Sequence, residues 1–339
     1  MSQSLSQGVA LTGCGSAVPE LSISNDQLSQ VVDTSDEWIS SRTGIRHRQV
    51  MGADETLSGI AAAAARQALS MAEVEPQAVD LILLATSTPD DLFGSASQVQ
   101  AQLGATQAIA FDITAACSGF VVGLTTAAQF IYSGAYQTVL LIGADALSRW
   151  VDWGDRRTCV LFGDGAGAVV LQTDQGNALL GFELCTDGTQ NSCLTLPYQS
   201  RIEHPSDDVA VQQGAFQPVT MNGQEVYRFA VRRVPEVIEK ATYRAGLTLE
   251  DIDWLLLHQA NQRILDAVAK RLSIPSDRVV SNVAAHGNTS AASIPLALDE
   301  CVRQGRVQSG DIIAAAGFGA GLTWGATIFR WGKAADVQE

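Results

Sequence analysis

Residues 110–123 read AFDITAACSGFVVG and join a short apolar strand to the start of an apolar helix. Cys117 lies at the junction among alanine, serine and glycine. A free cysteine here can be a small buried side chain, because this residue type is among the most buried. It can also be a nucleophile, because the dipole at a helix N-terminus lowers the pKa of a thiol. The stretch by itself leaves both interpretations open.

The pattern around Cys117 recurs 173 residues later. At this offset AEVEPQAVDLILLAT, from Ala72, falls on AGLTLEDIDWLLLHQ, from Ala245, and TVLLIGA falls on DIIAAAG. Cys117 then falls on Ser290, and both residues open an apolar or alanine-rich helical pattern. Three blocks in one register without a gap indicate an internal duplication, although few letters are identical.

Each half alternates apolar strands with helices, which predicts sheets covered by helices on both faces. The helix predicted in ETLSGIAAAAARQALSMA is apolar and small, so we expect it to be buried between two sheets. The duplicated halves, 1–175 and 176–339, therefore predict a five-layer α/β arrangement. Because loops at strand ends carry function in such folds, the strand ends of the two halves can meet at one central site.

The charge of the chain limits its partners. It has 339 residues and a net charge of −15, which disfavours binding to nucleic acid or to an anionic membrane. No apolar run is long enough to cross a bilayer, and MSQSLSQ lacks the basic start of a signal peptide, so we expect a soluble cytoplasmic protein. A helical segment with Arg228 and Arg232 on one face is either a local basic patch for an anionic partner or an ordinary solvated face.

The cysteines and histidines show no metal-binding spacing. Six cysteines occur without a CxxC pair, which argues against a disulfide framework and a zinc ribbon. Four histidines occur without an HExxH pattern, so we expect no catalytic metal.

Four features together suit the chemistry of thioesters. Cys117 at a helix start can attack a thioester. His258 follows the apolar run WLLL, and Asn288 lies in AAHGNTSAAS. A neutral imidazole and a carboxamide can both donate hydrogen bonds to one developing oxyanion. The backbone N–H groups of Cys117 and of Ala320, in FGAG, can serve a second oxyanion.

Several long motifs carry a family resemblance. ITAACSGF, LLLHQANQRI, HGNTSAASIPLALDE and GFGAGLTWG, with DEWISSRTGIR and LFGDGAGAVV, resemble the motifs of β-ketoacyl-acyl-carrier-protein synthase III. That family initiates type II fatty-acid synthesis. The resemblance runs from about Val9 to Trp331 and implies an α/β thiolase-like fold whose duplicated halves form a five-layer αβαβα sandwich. It also implies condensation of acetyl-CoA with malonyl-acyl-carrier protein (malonyl-ACP) through an acyl-Cys117 intermediate, with both thioesters as substrates and no metal or redox cofactor.

The resemblance assigns expected roles to residues. Cys117 matches the acylated nucleophile, and His258 and Asn288 match the pair that stabilises decarboxylation. Phe93 matches a residue that reaches into the pocket of a partner subunit, which implies a homodimer. The expected coenzyme A (CoA) contacts are Trp38, Arg42 and Arg156. The expected carrier-protein contacts are Arg228, Gln259, Ala260, Asn261, Gln262 and Arg263.

One motif departs from the family, because FGAG stands where many relatives have FGGG. Ala320 keeps its backbone N–H, so we expect the oxyanion hole to survive within a narrower range of backbone angles.

Alternatives stay open. Within the fold, the chain can be an acyltransferase or condensing enzyme of specialised metabolism. A thiolase is disfavoured because no second cysteine lies in a glycine loop near the C-terminus. A cysteine hydrolase would need a carboxylate or amide to orient His258. A binding protein that has lost its chemistry is disfavoured because all three reactive positions are occupied.

Overall fold

The computed structural model describes residues 8–333. The strands in this part of the chain are β1 (Gly8–Ala17), β2 (Leu21–Ser24), β3 (His47–Val50), β4 (Leu81–Ala85), β5 (Ile109–Ile113), β6 (Thr138–Ala146), β7 (Asp164–Asp174), β8 (Leu179–Thr186), β9 (Leu194–Thr195), β10 (Tyr198–Ser206), β11 (Val209–Phe216), β12 (Thr220–Met221), β13 (Trp254–Leu257), β14 (Ile312–Gly319) and β15 (Thr323–Arg330). The α-helices are α1 (Asn25–Leu28), α2 (Asp36–Thr43), α3 (Leu57–Ala72), α4 (Ala96–Leu103), α5 (Gly119–Tyr132), α6 (Gly223–Arg244), α7 (Gln262–Leu272), α8 (Val283–His286) and α9 (Ser293–Arg303).

Two mixed sheets share one topology. The first has the order β1-β7-β6-β4-β5, and the second has the order β8-β15-β14-β13. In each sheet the first three strands pair antiparallel and the later ones pair parallel. A single parallel bridge between Leu255 and Val279 stands where the second sheet would have its fifth strand. The topology therefore repeats as the 173-residue offset predicts, with β6 ending at Ala146 and β14 at Gly319.

Helices cover both sheets and fill the space between them. On β4, Ile82 and Leu84 pack with α3 and α4, whereas Leu81 and Leu83 face the opposite cluster with α5 and α9. That central cluster also contains Ile313 of the second sheet, whose other face packs on α6 and α7. The prediction of a five-layer α/β thiolase-like fold is confirmed.

The expected place of α3 is wrong. It lies on the outer face of the first sheet, against β1, β7 and α4, and the helices between the sheets are α5 and α9. Its alanines serve close approach instead, because a Cβ at Gly13 or Gly15 of β1 would collide with the α3 backbone at Ala68 or Ala64. One side of α3 stays exposed at Arg66, Gln67 and Ser70.

Helix length and hydropathy decide whether a helix could span a membrane. None of the helices in residues 8–333 is both long and apolar enough to cross a bilayer.

Candidate active site

Cys117 lies in a 3-10 turn, Ala116–Ser118, between β5 and α5. The turn is held from the second sheet, because the Ser118 hydroxyl donates to the Thr323 carbonyl at 2.7 Å. Gly319 of β14 lies directly against it, since a Cβ there would be 2.8 Å from the Cys117 nitrogen. The two halves of the chain thus meet at the cysteine.

The ionisation of Cys117 differs from the sequence expectation. Burial raises the pKa of the thiol to about 12, so the expected lowering by the helix N-terminus is wrong for this structure. The nearby Asp145 carboxylate raises the pKa further, whereas a hydrogen bond from Ser290 lowers it. The Ser290 Oγ donates to the Cys117 Sγ at 3.4 Å.

His258 is buried just beyond the end of β13. Its backbone N–H donates to Ala316 at 2.8 Å, and its ring packs edge-on against Phe318 with the centroids 5.2 Å apart. Its Nδ1 lies 2.7 Å from the Ser293 Oγ at the start of α9. Burial lowers the pKa of His258 to about 3, so the imidazole is neutral at physiological pH. The Ser293 Oγ already accepts from the Gln259 nitrogen at 3.3 Å, which favours donation of its own proton to Nδ1. In that tautomer the ring carries its proton on Nε2, which can donate to a substrate oxygen.

Asn288 is fixed on both sides. Its backbone N–H donates to Leu161 at 2.9 Å, and its carbonyl accepts from the Gly163 nitrogen at 3.0 Å. The Oδ1 atom accepts from the Ser290 nitrogen at 2.9 Å. Because the side-chain oxygen is engaged, the Nδ2 group is the part of the amide that can donate to a ligand.

One cavity of about 550 Å³ brings these groups together. Cys117, His258 and Asn288 line it with little exposed surface, and Phe318 and Gly319 complete that end. Arg42 and Arg263, both exposed, line it as well, so the cavity connects the buried thiol with the surface. The sequence analysis missed the apolar wall, which consists of Leu161, Phe162, Leu194, Met221, Val226 and Ile264.

An aromatic and basic cluster lies beside this cavity. The Arg42 guanidinium carbon is 4.7 Å from the centre of the Trp38 ring, and that of Arg156 is 5.2 Å away. The Arg156 Nη1 also donates to the Asp33 carbonyl at 2.8 Å. An indole face with two guanidinium groups suits a flat, negatively charged ligand such as a nucleotide.

Comparisons with known proteins show the family of the chain. The family model of 3-oxoacyl-[acyl-carrier-protein (ACP)] synthase III matches residues 111–188. The model of the C-terminal part of the same family matches residues 243–331. The β-ketoacyl-[acyl-carrier-protein] synthase III of Synechococcus elongatus is 67% identical over 326 residues, which are 96% of this chain and 97% of that protein. The chain belongs to the β-ketoacyl-[acyl-carrier-protein] synthase III family. It is therefore a condensing acyltransferase.

Solved structures extend the similarity. The synthase III of Aquifex aeolicus VF5 has a TM-score of 0.88 and 42% identity, covering 96% of this chain and all of that one. The priming β-ketosynthase of the R1128 polyketide biosynthetic pathway has the same TM-score at 33% identity, covering 98% and 99%. The same fold thus occurs in a 3-oxoacyl-[acyl-carrier-protein] synthase III and in a priming ketosynthase of a polyketide pathway.

The expected role of Gln259 as a carrier-protein contact is wrong. It is fully buried, and its amide donates to the carbonyls of Leu257 at 2.7 Å and Val280 at 3.2 Å while accepting from the Asn282 nitrogen. A side chain without exposed surface cannot contact a carrier protein. Gln259 instead ties the end of β13 to the segment before α8.

The other expected carrier contacts are at least partly exposed. Ala260, Asn261 and Arg263 line the cavity. The Arg263 guanidinium donates to the Ser41 carbonyl at 2.7 Å, and the Asn261 amide donates to the Arg42 carbonyl at 3.1 Å, so both join α7 to α2. Gln262 donates to Asp266 on α7, and Arg228 pairs with Glu225 at 2.7 Å on α6.

Ala320 fits the synthase III loop without strain. Gly319 has an extended backbone, and the positive φ of 129° falls on Gly321. The family glycine that Ala320 replaces is therefore not needed here for its left-handed conformations.

Phe93 does not line the cavity of its own chain. It is 98% exposed, next to the exposed Leu92, on a surface depression that also contains Phe111. No group of three or more His, Cys, Asp or Glu side chains in residues 8–333 is arranged to hold a metal.

Proposed function

We propose that this synthase III condenses acetyl-CoA with malonyl-ACP, forming acetoacetyl-ACP, carbon dioxide and CoA, as the initiating step of type II fatty-acid synthesis. The observation that carries the proposal is the convergence of Cys117, neutral His258 and the Asn288 amide on one cavity. The thioester and the malonyl carboxylate supply the reactivity. The residues therefore need only position the substrates and stabilise the oxyanions that form.

The first half-reaction transfers the acetyl group to Cys117. The sulfur attacks the thioester carbonyl, the C–S bond to CoA breaks, and CoA leaves as a thiolate. The carbonyl oxygen becomes negative during this step, and backbone N–H groups of Cys117 and Ala320 can donate to it. Such preorganised donors stabilise the transition state strongly in a site that excludes water.

The second half-reaction decarboxylates malonyl-ACP. The electron pair of the departing carboxylate forms an enolate, whose oxygen accepts hydrogen bonds from the His258 Nε2 and the Asn288 Nδ2. Because burial lowers the pKa of His258 to about 3, the ring is neutral. It therefore donates a hydrogen bond to the enolate oxygen without transferring a proton to it. The enolate carbon then attacks the acyl-Cys117 carbonyl, the new C–C bond forms, and Cys117 leaves as a thiolate.

Recognition of the two substrates uses different surfaces. Trp38, Arg42 and Arg156 suit the nucleotide part of CoA, which a carrier protein lacks. For the carrier protein we propose contacts with Ala260, Asn261, Gln262 and Arg263, and with Arg228 on α6. Phe93 and Leu92, almost fully exposed, suit burial against a second copy of the chain in a homodimer. We propose a cytoplasmic enzyme.

A second candidate is the priming of a specialised pathway, which the R1128 ketosynthase supports through an equal TM-score. The 67% identity to a synthase III favours fatty-acid initiation. A panel of acyl-CoA thioesters of different length separates the two by the acyl group that Cys117 prefers.

The test is intact-mass and peptide mass spectrometry after mixing the protein with acetyl-CoA, then with malonyl-ACP. We expect one acetyl group on Cys117, followed by acetoacetyl-ACP, with the other five cysteines as internal controls. Acylation elsewhere, no acylation, or release of free acetate without condensation contradicts the proposal.

A further inference from the structure

Asn288 follows a single turn of helix, α8, which ends at His286. Gly287 joins the two with a φ of 66°, in the left-handed region that favours glycine. A single helical turn is not stable by itself, so neighbouring segments must hold it in place. The position of Asn288 therefore depends on what holds α8.

Glu300 of α9 binds both ends of α8. Its Oε1 accepts from the His286 Nε2 at 2.7 Å, at the last residue of the turn. Its Oε2 accepts from the Asn282 Nδ2 at 2.9 Å, directly before the first residue. An ionised carboxylate only accepts hydrogen bonds, so the proton of this contact belongs to His286 Nε2. With one donor on each oxygen, the carboxylate fixes both ends of α8 relative to α9.

His286 is also held from the side opposite Glu300. Its Nδ1 lies 2.9 Å from the Gln49 Oε1 on β3, and its side chain is only 14% exposed. Its carbonyl oxygen lies against Gly163, where a Cβ would be 2.3 Å away. The ring therefore has a defined place, and Glu300 holds it through one of its two nitrogens.

The backbone on the far side of Gly287 is tied to the same segment. The Asn288 N–H donates to the Leu161 carbonyl at 2.9 Å, and the Gly163 N–H donates to the Asn288 carbonyl at 3.0 Å. His286 and Asn288 thus lie against one short stretch, 161–163. A shift of His286 would pass to Asn288 through this shared contact and the one glycine between them.

Helix α9 is common to both proposed donors of the enolate hole. Ser293, its first residue, contacts the Nδ1 of His258 at 2.7 Å. Glu300 lies seven residues later, on the same face of the helix, because seven residues make roughly two turns. The helix therefore holds His258 through one side chain and the Asn288 segment through another.

We propose that Glu300 is a positioning residue for Asn288: through His286 it holds the amide where Nδ2 can donate to the enolate oxygen. The inference rests on the proposed function, because the decarboxylation step is the one that uses Asn288. Glu300 acts through His286 and α8 and not on the substrate. The acylation of Cys117 does not depend on it.

Glu300→Ala tests this by separating the two half-reactions. We expect decarboxylation of malonyl-ACP to slow by roughly 10- to 10²-fold, because small misplacements of a reacting group are that costly. The loss should fall on kcat, with the KM for malonyl-ACP and the acylation of Cys117 nearly unchanged. Radiolabelled carbon dioxide release and intact mass measure the two steps. Equal loss of both steps, or a change in KM alone, overturns the proposal.

A double variant shows whether the effect passes through Asn288. In the Asn288→Ala background the amide is already absent, so Glu300→Ala should slow decarboxylation no further. Independent effects would instead multiply. A second loss as large as the one in the wild-type background overturns the proposal.

Two variants of His286 distinguish its two contacts. Glutamine can place an N–H near the position of Nε2 and keep the contact with Glu300, whereas asparagine can place its amide near Nδ1 and keep only Gln49. We expect His286→Gln to decarboxylate malonyl-ACP at a rate near that of wild type and His286→Asn to match Glu300→Ala. The reverse order would assign the positioning to Gln49 and overturn the role of Glu300. If Glu300→Ala does not fold, these two variants decide.

Hydrogen exchange measured by mass spectrometry tests the contact without any substrate. In Glu300→Ala we expect the peptide with residues 283–290 to exchange faster than in wild type, with peptides from β4 and β6 unchanged. Asp251→Ala is the matched control, because Asp251 also accepts two hydrogen bonds, from the nitrogen and hydroxyl of Thr248. It should leave residues 283–290 unchanged. Unchanged exchange of that peptide in Glu300→Ala overturns the proposal.

This inference and the proposed function fail separately. A wild-type protein that neither acylates Cys117 nor decarboxylates malonyl-ACP refutes the proposed function, and hydrogen exchange then still decides whether Glu300 holds the Asn288 segment. Conversely, wild type can condense both substrates while Glu300→Ala decarboxylates at the wild-type rate, and that result refutes the role of Glu300 alone.

Discussion

The backbone of Gly319 lies against the backbone of Cys117, across the interface between the two halves of the chain. A Cβ on Gly319 would be 2.8 Å from the Cys117 nitrogen and 2.9 Å from its Cβ. Real Cβ atoms do not approach backbone so closely, and neither strand β14 nor the Cys117 turn has a flexible side chain there that could move aside. The position of the nucleophile therefore depends on the absence of a side chain at Gly319.

Gly319→Ala should displace the Cys117 turn. We expect acylation of Cys117 to fall by about 10²-fold, because small misplacements of a nucleophile are that costly, with a lower thermal midpoint. Gly188→Ala is the matched control, since a Cβ at Gly188 meets nothing within 4 Å. Intact-mass kinetics with acetyl-CoA measure the effect. Equal acylation rates in the two variants would show that the contact does not position the cysteine.

Asn288→Ala separates the two half-reactions. It removes one donor from the proposed enolate hole, and such a loss typically costs roughly 10²–10³ in rate. We expect that loss in decarboxylation of malonyl-ACP and in condensation, with acylation of Cys117 largely retained. Radiolabelled carbon dioxide release and intact mass measure the two steps. A variant that decarboxylates normally but is not acylated would contradict the role given to Asn288.

The sequence predicted the fold and the central residues well because they depend on local patterns. The 173-residue offset predicted the repeated topology, and strand ends predicted that Cys117, His258 and Asn288 would lie on one cavity. The sequence did not predict features that depend on how distant segments pack together. The alanines of α3 indicate burial but not which layer covers them, and the apolar wall at Leu194 and Met221 comes from segments without a regular pattern.

Side-chain environments were the least predictable part of the site. Gln259 lies between buried His258 and partly exposed Ala260, and only the fold shows that its amide is enclosed. Burial raises the pKa of Cys117, and no spacing of residues reveals how deeply the thiol is buried.

Trp38→Ala should weaken binding of CoA substrates only. Stacking of a base on an aromatic ring is worth about 1–3 kcal/mol, so we expect the KM for acetyl-CoA to rise about 10-fold or more. The KM for malonyl-ACP should not change, because a carrier protein presents no adenine. Arg156→Ala should act in the same direction, with Arg306→Ala as control, since Arg306 lies over a different ring, that of Trp254. Equal effects on both KM values would assign Trp38 to folding.

Phe93→Asp should disrupt the proposed homodimer. The residue is 98% exposed in the single chain, and burial of a charged side chain at a subunit interface is unfavourable. We expect sedimentation to show twice the chain mass for wild type and the chain mass for the variant. Tyr243→Asp is the control, because Tyr243 is 84% exposed on α6 and has no proposed partner. A variant that stays dimeric would place the interface elsewhere.

Neutral His258 should make the stability of the protein depend on pH. Its pKa is about 3 in the folded chain, against an ordinary value of 6.5, so only the unfolded chain takes up this proton between those values. The contribution to the free energy of unfolding is fully present above pH 6.5 and is lost as the pH falls, at up to about 1.4 kcal/mol per pH unit. Urea unfolding of wild type and His258→Gln between pH 5 and 8 measures it. The difference between the two proteins should shrink by about 2 kcal/mol from pH 7 to pH 5, since glutamine does not titrate. A constant difference would mean that the pKa of His258 in the folded protein is the ordinary value of about 6.5, and the ring would then become an imidazolium as the pH falls below that value.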